Sequence, residues 1–269
     1  MKNPVTASLG RMYAIMRNTF IEAYRNRAFV GLGIASVGLV VSSIALSRLA
    51  ISDQASRVLV DFGLFSIALL EVVIAIVMGV ILIFKEVDRK TFYLILPKPV
   101  RRSEVVAGKF GGLLLVLAVA LLLMGLAWVL SLWSRGIDLQ PDMFKALALV
   151  WMEAALITSV ALFFSSFASP VLSGVFTFGV FLVGRSVIIL DELLTAKKGL
   201  IVQNPVVQTI ASFTVDVFPD LSVFNIGKEI IVGVPVGWDY VGGAGLYCAG
   251  YCLCFLALAM LIFRRRDFV

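Results

Sequence analysis

Six stretches of roughly 20 or more predominantly apolar residues set the terms on which this chain can fold. They run approximately over 29–47, 62–84, 105–133, 144–167, 170–190 and 241–263 of the 269 residues. At about 1.5 Å of rise per residue, a helix of that length crosses about 30 Å of hydrocarbon. Inside lipid every backbone N–H and C=O must find its partner within the chain, which leaves helices or closed barrels. Continuous apolar runs lack the two-residue alternation of barrel strands. The predicted fold is therefore an all-α polytopic membrane protein with six transmembrane helices, residues 29–269 forming the membrane domain. The bulk numbers agree: 61% hydrophobic and 15% charged residues, against about half and a quarter in a soluble domain. The first run starts only after residue 28, is too long for a leader's apolar region and lacks a small-residue exit, so it is expected to stay.

All three cysteines, Cys248, Cys252 and Cys254, fall in the sixth run, so free thiols are expected rather than a disulfide framework. Cys248 and Cys252 share a helical face and could hold a soft metal; small polarizable residues packing between helices is the reading preferred. Most of the 23 Lys and Arg lie before the first run, between the second and third, and after the sixth. The positive-inside rule puts those segments, and both termini, in the cytoplasm. The net charge of +6 then needs anionic lipid as its partner and no nucleic acid.

Two polar segments stand out. Residues 1–28 carry Leu9, Met12, Tyr13, Met16, Phe20, Ala23 and Tyr24 at helical spacing, with Arg11, Asn18, Glu22 and Arg25 on the other face, the pattern of a helix lying along the cytoplasmic surface. The loop 85–103 holds a second amphipathic pattern, Val87, Thr91, Leu94 and Ile95 on one side and Glu86, Asp88, Arg89 and Lys90 elsewhere. It predicts a helix over 85–96 that prolongs the second span and is stopped by Pro97 and Pro99; Ser103 and Glu104 then suit the cap and first turn of the third span. Topology accounts for the basic residues but not for an ordered helix, two prolines and interleaved acids, so the loop reads as a docking element for another protein.

The sequence of Glu86, Thr91, Pro99, Arg102 and Gly108-Lys109 resembles the first cytoplasmic loop of permeases of the ABC-2 class, the type V ABC exporters. The amphipathic leader, the FFSSFASPVLSG turn between the fourth and fifth runs, the FPDLSVFNIG stretch before the sixth and the basic FRRRDF ending match in the same order. Lys90 stands where that family often has glycine, and Tyr93 to Leu96 replace its leucine pair. The resemblance implies a six-span permease subunit working as a pair, homodimer or paralogues, with spans two and five along the central path and span four at the periphery. It implies that 85–103 is a coupling helix seated on a separate cytoplasmic ATPase. Glu86, Arg101, Arg102 and Lys109 would be its charged contacts, Val87, Thr91 and Leu94 its apolar face, and Pro99 its elbow. The setting would be a prokaryotic inner membrane.

An absence in the sequence fits that division of labour: there is no G-x-x-x-x-G-K-[ST], and Gly108-Lys109 lacks both the preceding glycine and the following hydroxyl residue. The chain is not expected to be an enzyme or to bind a cofactor; ATP and magnesium would sit on the ATPase. With no histidine in the chain, His metal sites and Ser-His dyads are excluded, and no aspartate pair lies well inside a run, which leaves an intramembrane enzyme remote. A closer alternative is a mechanical transmitter, which drives an extracytoplasmic partner without moving substrate. The segment 191–240, with apolar clusters at 206–217 and 221–234 set off by Asn204-Pro205 and Pro219-Asp220, predicts short helices dipping into the outer leaflet or capping the exit.

Three charges lie inside the runs. Counted from the cytoplasmic ends, Glu71, Glu153 and Arg185 reach a similar depth of roughly 20 Å. A charge there costs on the order of 3 kcal/mol and turns inward to a partner. Because the resemblance puts spans two and five along the path, Arg185 with Glu71, within or across subunits, is the favoured pair, with Glu153 as second choice; the alternative is that Arg185 snorkels to the outer headgroups while Glu71 is protonated or reaches a water-filled vestibule. Gly174, Gly179 and Gly184 of the fifth run suit either a close subunit approach or ordinary internal packing.

Overall fold

A computed structural model describes residues 4–49, 55–88, 102–195 and 205–265. The described chain is helical throughout, with α1 Pro4–Tyr24, α2 Arg27–Leu49, α3 Ala55–Asp88, α4 Arg102–Trp133, α5 Pro141–Ser165, α6 Pro170–Thr195, α7 Pro205–Val217, a 3-10 turn Ser222–Phe224, α8 Gly227–Val232 and α9 Trp238–Arg265. Six of these, α2 to α6 and α9, are long and apolar enough to span a membrane. Proline opens α5, α6 and α7, where its missing N–H is no loss and its fixed φ suits the first turn. The apolar run 144–167 outlasts its helix, because Ser166, Phe167 and Ala168 fold back onto the carbonyls of Phe163 and Phe164 and deliver the chain to Pro170.

Between lipid-facing helices there is no water to expel, so close backbone approach and filled volume hold the bundle. Glycines mark the approaches. Gly63 of α3 lies under the indole of Trp128, which would collide with any Cβ there, and the Trp128 Nε1 donates to the Leu59 carbonyl at 3.4 Å. Further along α3, a Cβ on Gly79 would stand 2.9 Å from that of Ala161 on α5. In the most apolar windows of α3 and α5, 61% and 67% of residues are buried, against 22% in α2 and α9. The fourth span is thus central within the chain. Its composition explains why: Ala154, Ala155, Thr158, Ser159 and Ala161 are small enough for neighbours to close in on every side, and all are buried.

The face of α1 keeps Met12, Met16, Phe20 and Ala23 of its sequence pattern against the protein and departs from it at the two tyrosines. Tyr13 and Tyr24 are exposed, and the packed stripe is Met12, Ile15, Met16 and Thr19, laid against Gly108, Gly111 and Gly112 of α4. Those glycines share one side of α4 and admit the α1 backbone; a Cβ on Gly112 would sit 2.8 Å from the Met16 carbonyl. At the other end of the bundle, α7 and the 222–232 stretch form a bent pair with an angle of 51°, in place of a plain connector. The bend is tied down at four points. Leu221 N–H donates to the Gly184 carbonyl at 3.1 Å, Asp220 N–H to the Tyr247 hydroxyl at 2.8 Å, the Tyr240 hydroxyl to the Val223 carbonyl at 2.7 Å, and Lys145 Nζ to the Val236 carbonyl at 2.5 Å. Gly233, at φ 76°, ends α8 in the left-handed conformation that glycine adopts without strain.

Candidate functional site

Two regions carry the residues singled out in the sequence. The first is the α1 end of the bundle. α3 stays helical to Asp88, so Glu86 and Val87 lie on its last turn, and α4 opens at Arg102. The side chains of those three residues, and Thr91, Leu94, Pro99 and Arg101 altogether, lie outside the described residues. Lys109 is inside the packing, 5% exposed. One turn earlier, Glu104 is also buried and receives Ser8 Oγ at 2.6 Å, Arg11 Nε at 2.9 Å and Arg11 Nη2 at 2.8 Å. The bond to Glu104 holds the Arg11 pKa above its ordinary value. Sequence reading had put Arg11 on the solvent face and used Glu104 only as a first-turn acid. The glycine spacing 108, 111, 112 was the signal that α1 would be drawn onto α4, and the two-pronged Arg11–Glu104 pair fixes its register.

The second region is the set of intramembrane charges. Arg185 of α6 pairs with Glu153 of α5, Nη2 to Oε2 at 2.8 Å. The expected partner, Glu71, is fully buried on α3, and both of its carboxyl oxygens lack a hydrogen-bond partner among the described residues. The second oxygen of Glu153 is in the same position. Two of the three charges meet and Glu71 does not join them: within the chain the guanidinium turns to the central α5. The correction follows from the packing: with α5 inside the bundle, Glu153 is 0% exposed and Arg185 can reach it while 24% of its own side chain stays accessible.

A cavity of about 420 Å³ lies beside this pair, bounded by α3, α5, α6 and the 224–227 stretch, with Asp61, Arg185 and Asn225 as polar lining and Leu64, Phe181 and Phe224 among the apolar walls. The helix register connects it to the buried acids. α3 and α5 meet at Gly79 and Ala161, and Leu64 with Ala146, then Ala68 with Val150, line the cavity at the same sequence offset. Glu71 and Glu153 keep that sequence offset one turn further on, and neither lines the cavity.

The glycines of α6 divide. Gly184 packs within the chain, where a Cβ would stand 2.8 Å from the Pro219 carbonyl, whereas Gly174 and Gly179 have nothing within 4 Å of theirs. Cys248 Sγ reaches the Met152 carbonyl at 3.2 Å and lies 3.8 Å from Cys252 Sγ; all three cysteines are free thiols. Among the described residues no group of three His, Cys, Asp or Glu could hold a metal.

A family model described as ABC-2 family transporter protein matches residues 12–268. No curated protein matches the chain.

Proposed function

The chain belongs to the ABC-2 transporter family, a family of membrane permease components of ABC transporters, and on that premise we propose that it is the permease of an ATP-driven exporter energised by a separate cytoplasmic ATPase. The observation that carries the proposal is the extent of the family match, residues 12–268. In this reading both termini and the α1 end face the cytoplasm of a prokaryotic cell, and the ATPase, with its ATP and magnesium, docks on 85–103. A second six-span subunit, a copy or a paralogue, completes the path, with the open faces of Gly174 and Gly179 available to it. The Arg11–Glu104 clamp supports the coupling role, since it joins α1 to the first turn of α4 directly after the docking segment.

Co-expression with its ATPase tests the proposal. The native mass of the complex is expected to hold two permeases and two ATPases. Glu86→Arg removes a charged contact, worth about 2 kcal/mol or roughly 30-fold in affinity, and is expected to lower both co-purification and stimulated ATP hydrolysis. Undiminished assembly and turnover in the variant would refute the docking assignment.

A second reading, transmission of motion to an extracytoplasmic partner without transport, is favoured by one observation. α7 leaves Val206, Ile210, Phe213 and Val217 exposed along a single face, each by more than half. ATP-dependent uptake of candidate substrates into inverted vesicles separates the two, because a transmitter hydrolyses ATP there without accumulating anything.

A further inference from the structure

A groove of about 480 Å³ opens where α2 leaves α1, between α2, α3 and α4. Its floor, Phe29, Ile74 and Met124, is buried, and its rims, Val30, Ile34 and Leu123, are exposed. Ser36, the polar side chain within it, already donates to the Leu32 carbonyl at 2.6 Å. Along α2 the lining runs from Phe29 to Val37, about 12 Å of helix rise, which is most of one leaflet's share of about 30 Å of hydrocarbon. The mouth is different. Tyr24 lines it, and Arg27 opens α2 on the same stripe as Val30, Ile34 and Val37, at i, i+3, i+7 and i+10. Arg25 stands in the turn beside Tyr24. Both arginines are exposed, and neither guanidinium has an ion pair or hydrogen bond among the described residues. Glu22 is the one acid between residues 1 and 52, and two residues from Tyr24 along α1 it is turned about 200° away from the mouth.

We propose that this groove binds one anionic phospholipid from the leaflet on the α1 side, with an acyl chain in the slot and the phosphate on Arg27 and Arg25. A guanidinium meets a phosphate in a two-pronged contact, and a choline headgroup would bring its own positive charge to the arginines. A soluble anion lacks the chain that fills the slot, and a neutral apolar molecule leaves the two positive charges unanswered. A second copy of this chain, meeting this face about a two-fold axis, would set like charges against one another. Basic residues at a membrane edge attract anionic lipid diffusely; the slot adds a place for one chain, and hence one lipid per subunit. The site belongs to one chain and is the same whether the complex exports or transmits motion.

Native mass spectrometry of the purified full chain, released from detergent micelles after titration with phosphatidylglycerol or with phosphatidylcholine of identical acyl chains, tests it. One phosphatidylglycerol per chain is expected to bind saturably, at least tenfold tighter than phosphatidylcholine, and glycerol phosphate, the headgroup without chains, is expected not to compete. Arg25→Gln and Arg27→Gln should each weaken phosphatidylglycerol about fivefold and leave phosphatidylcholine unchanged, while Arg48→Gln, at the far end of α2, should change nothing. Gly33→Leu fills the slot: Gly33 lines it and nothing lies within 4 Å of an added Cβ, so the chain should fold and lose at least tenfold in affinity. Gly31→Leu, equally free of neighbours and outside the lining, is the matching control. The ranking of the two lipids on the unaltered chain decides even where a variant fails to fold. Equal binding of the two lipids, competition by glycerol phosphate at the lipid's own concentration, or folded Arg27→Gln or Gly33→Leu chains that bind phosphatidylglycerol like the unaltered one would each overturn the proposal. Gly33→Leu splitting a dimer without touching lipid binding would overturn it too, and would assign the face to a second copy.

Discussion

Removing Arg185 and removing Glu153 break the same bond, yet the structure predicts unequal costs. Glu153 is 0% exposed and its one partner among the described residues is the Arg185 guanidinium at 2.8 Å, whereas Arg185 is 24% exposed and borders a cavity. In Arg185→Met a fully buried carboxylate loses its counter-charge, a loss of about 3–5 kcal/mol. In Glu153→Gln the guanidinium keeps its access to the cavity, and the amide oxygen still accepts, so about 1–2 kcal/mol is expected. The double variant has no stranded carboxylate and should fall near Glu153→Gln, a departure from additivity of about 3–5 kcal/mol, the whole cost of Arg185→Met. Glu71→Gln serves as the internal control. Because Glu71 has no partner among the described residues, that change should be neutral or stabilising. Equilibrium unfolding in mixed micelles, followed by the fluorescence of the four tryptophans, reads all four variants. Equal costs for the two single changes, strict additivity in the double, or a loss in Glu71→Gln as large as in Arg185→Met would refute the assignment of Glu153 as the partner.

Two further outcomes follow from glycines at backbone contacts. Gly112→Val places a Cβ at 2.6 Å from that of Thr19 and 2.8 Å from the Met16 carbonyl, so α1 should lift from α4 at a cost of about 1–3 kcal/mol; disulfide trapping between Ile15→Cys and Gly108→Cys should lose yield. Gly184→Leu collides with the Pro219 carbonyl and with Leu221, displacing the turn whose Leu221 N–H bonds Gly184, and amide exchange over 219–224 should accelerate while that of α5 does not.

The helices were legible because lipid makes length and apolarity nearly sufficient, and because Pro141 and Pro170 mark where α5 and α6 begin. Rotation about each axis was not. A count from the membrane edge placed Glu71, Glu153 and Arg185 at one depth, but depth holds no azimuth, and which acid faces Arg185 depends on α5 occupying the centre. That centrality was written in the small residues from Ala154 to Ala161, a cue that hydropathy averages away. The face of α1 was legible in Met12, Met16, Phe20 and Ala23 but not at its edges, for a related reason. Tyr13 and Tyr24 fall in the apolar stripe when α1 is considered alone, and only Gly108, Gly111 and Gly112 on a distant stretch of sequence show that Ile15 and Thr19 face the protein. The second helical segment, 222–232, escaped as a bend because its angle is set by ties to α5, α6 and α9 rather than by its own residues.

Those ties have a kinetic side. The 224–227 stretch closes one wall of the cavity, and four hydrogen bonds hold its neighbourhood to three different spans. At about 1 kcal/mol net for each bond, opening that wall alone amounts to about 4 kcal/mol, a fraction of roughly one molecule in a thousand at any moment. A molecule seated there would exchange slowly in the resting chain, with a dwell time set by how often the wall opens more than by how tightly it is held. Any stroke that shifts α9 by an ångström loosens two of the ties together, turning the wall from a slow door into a fast one for the duration of that stroke.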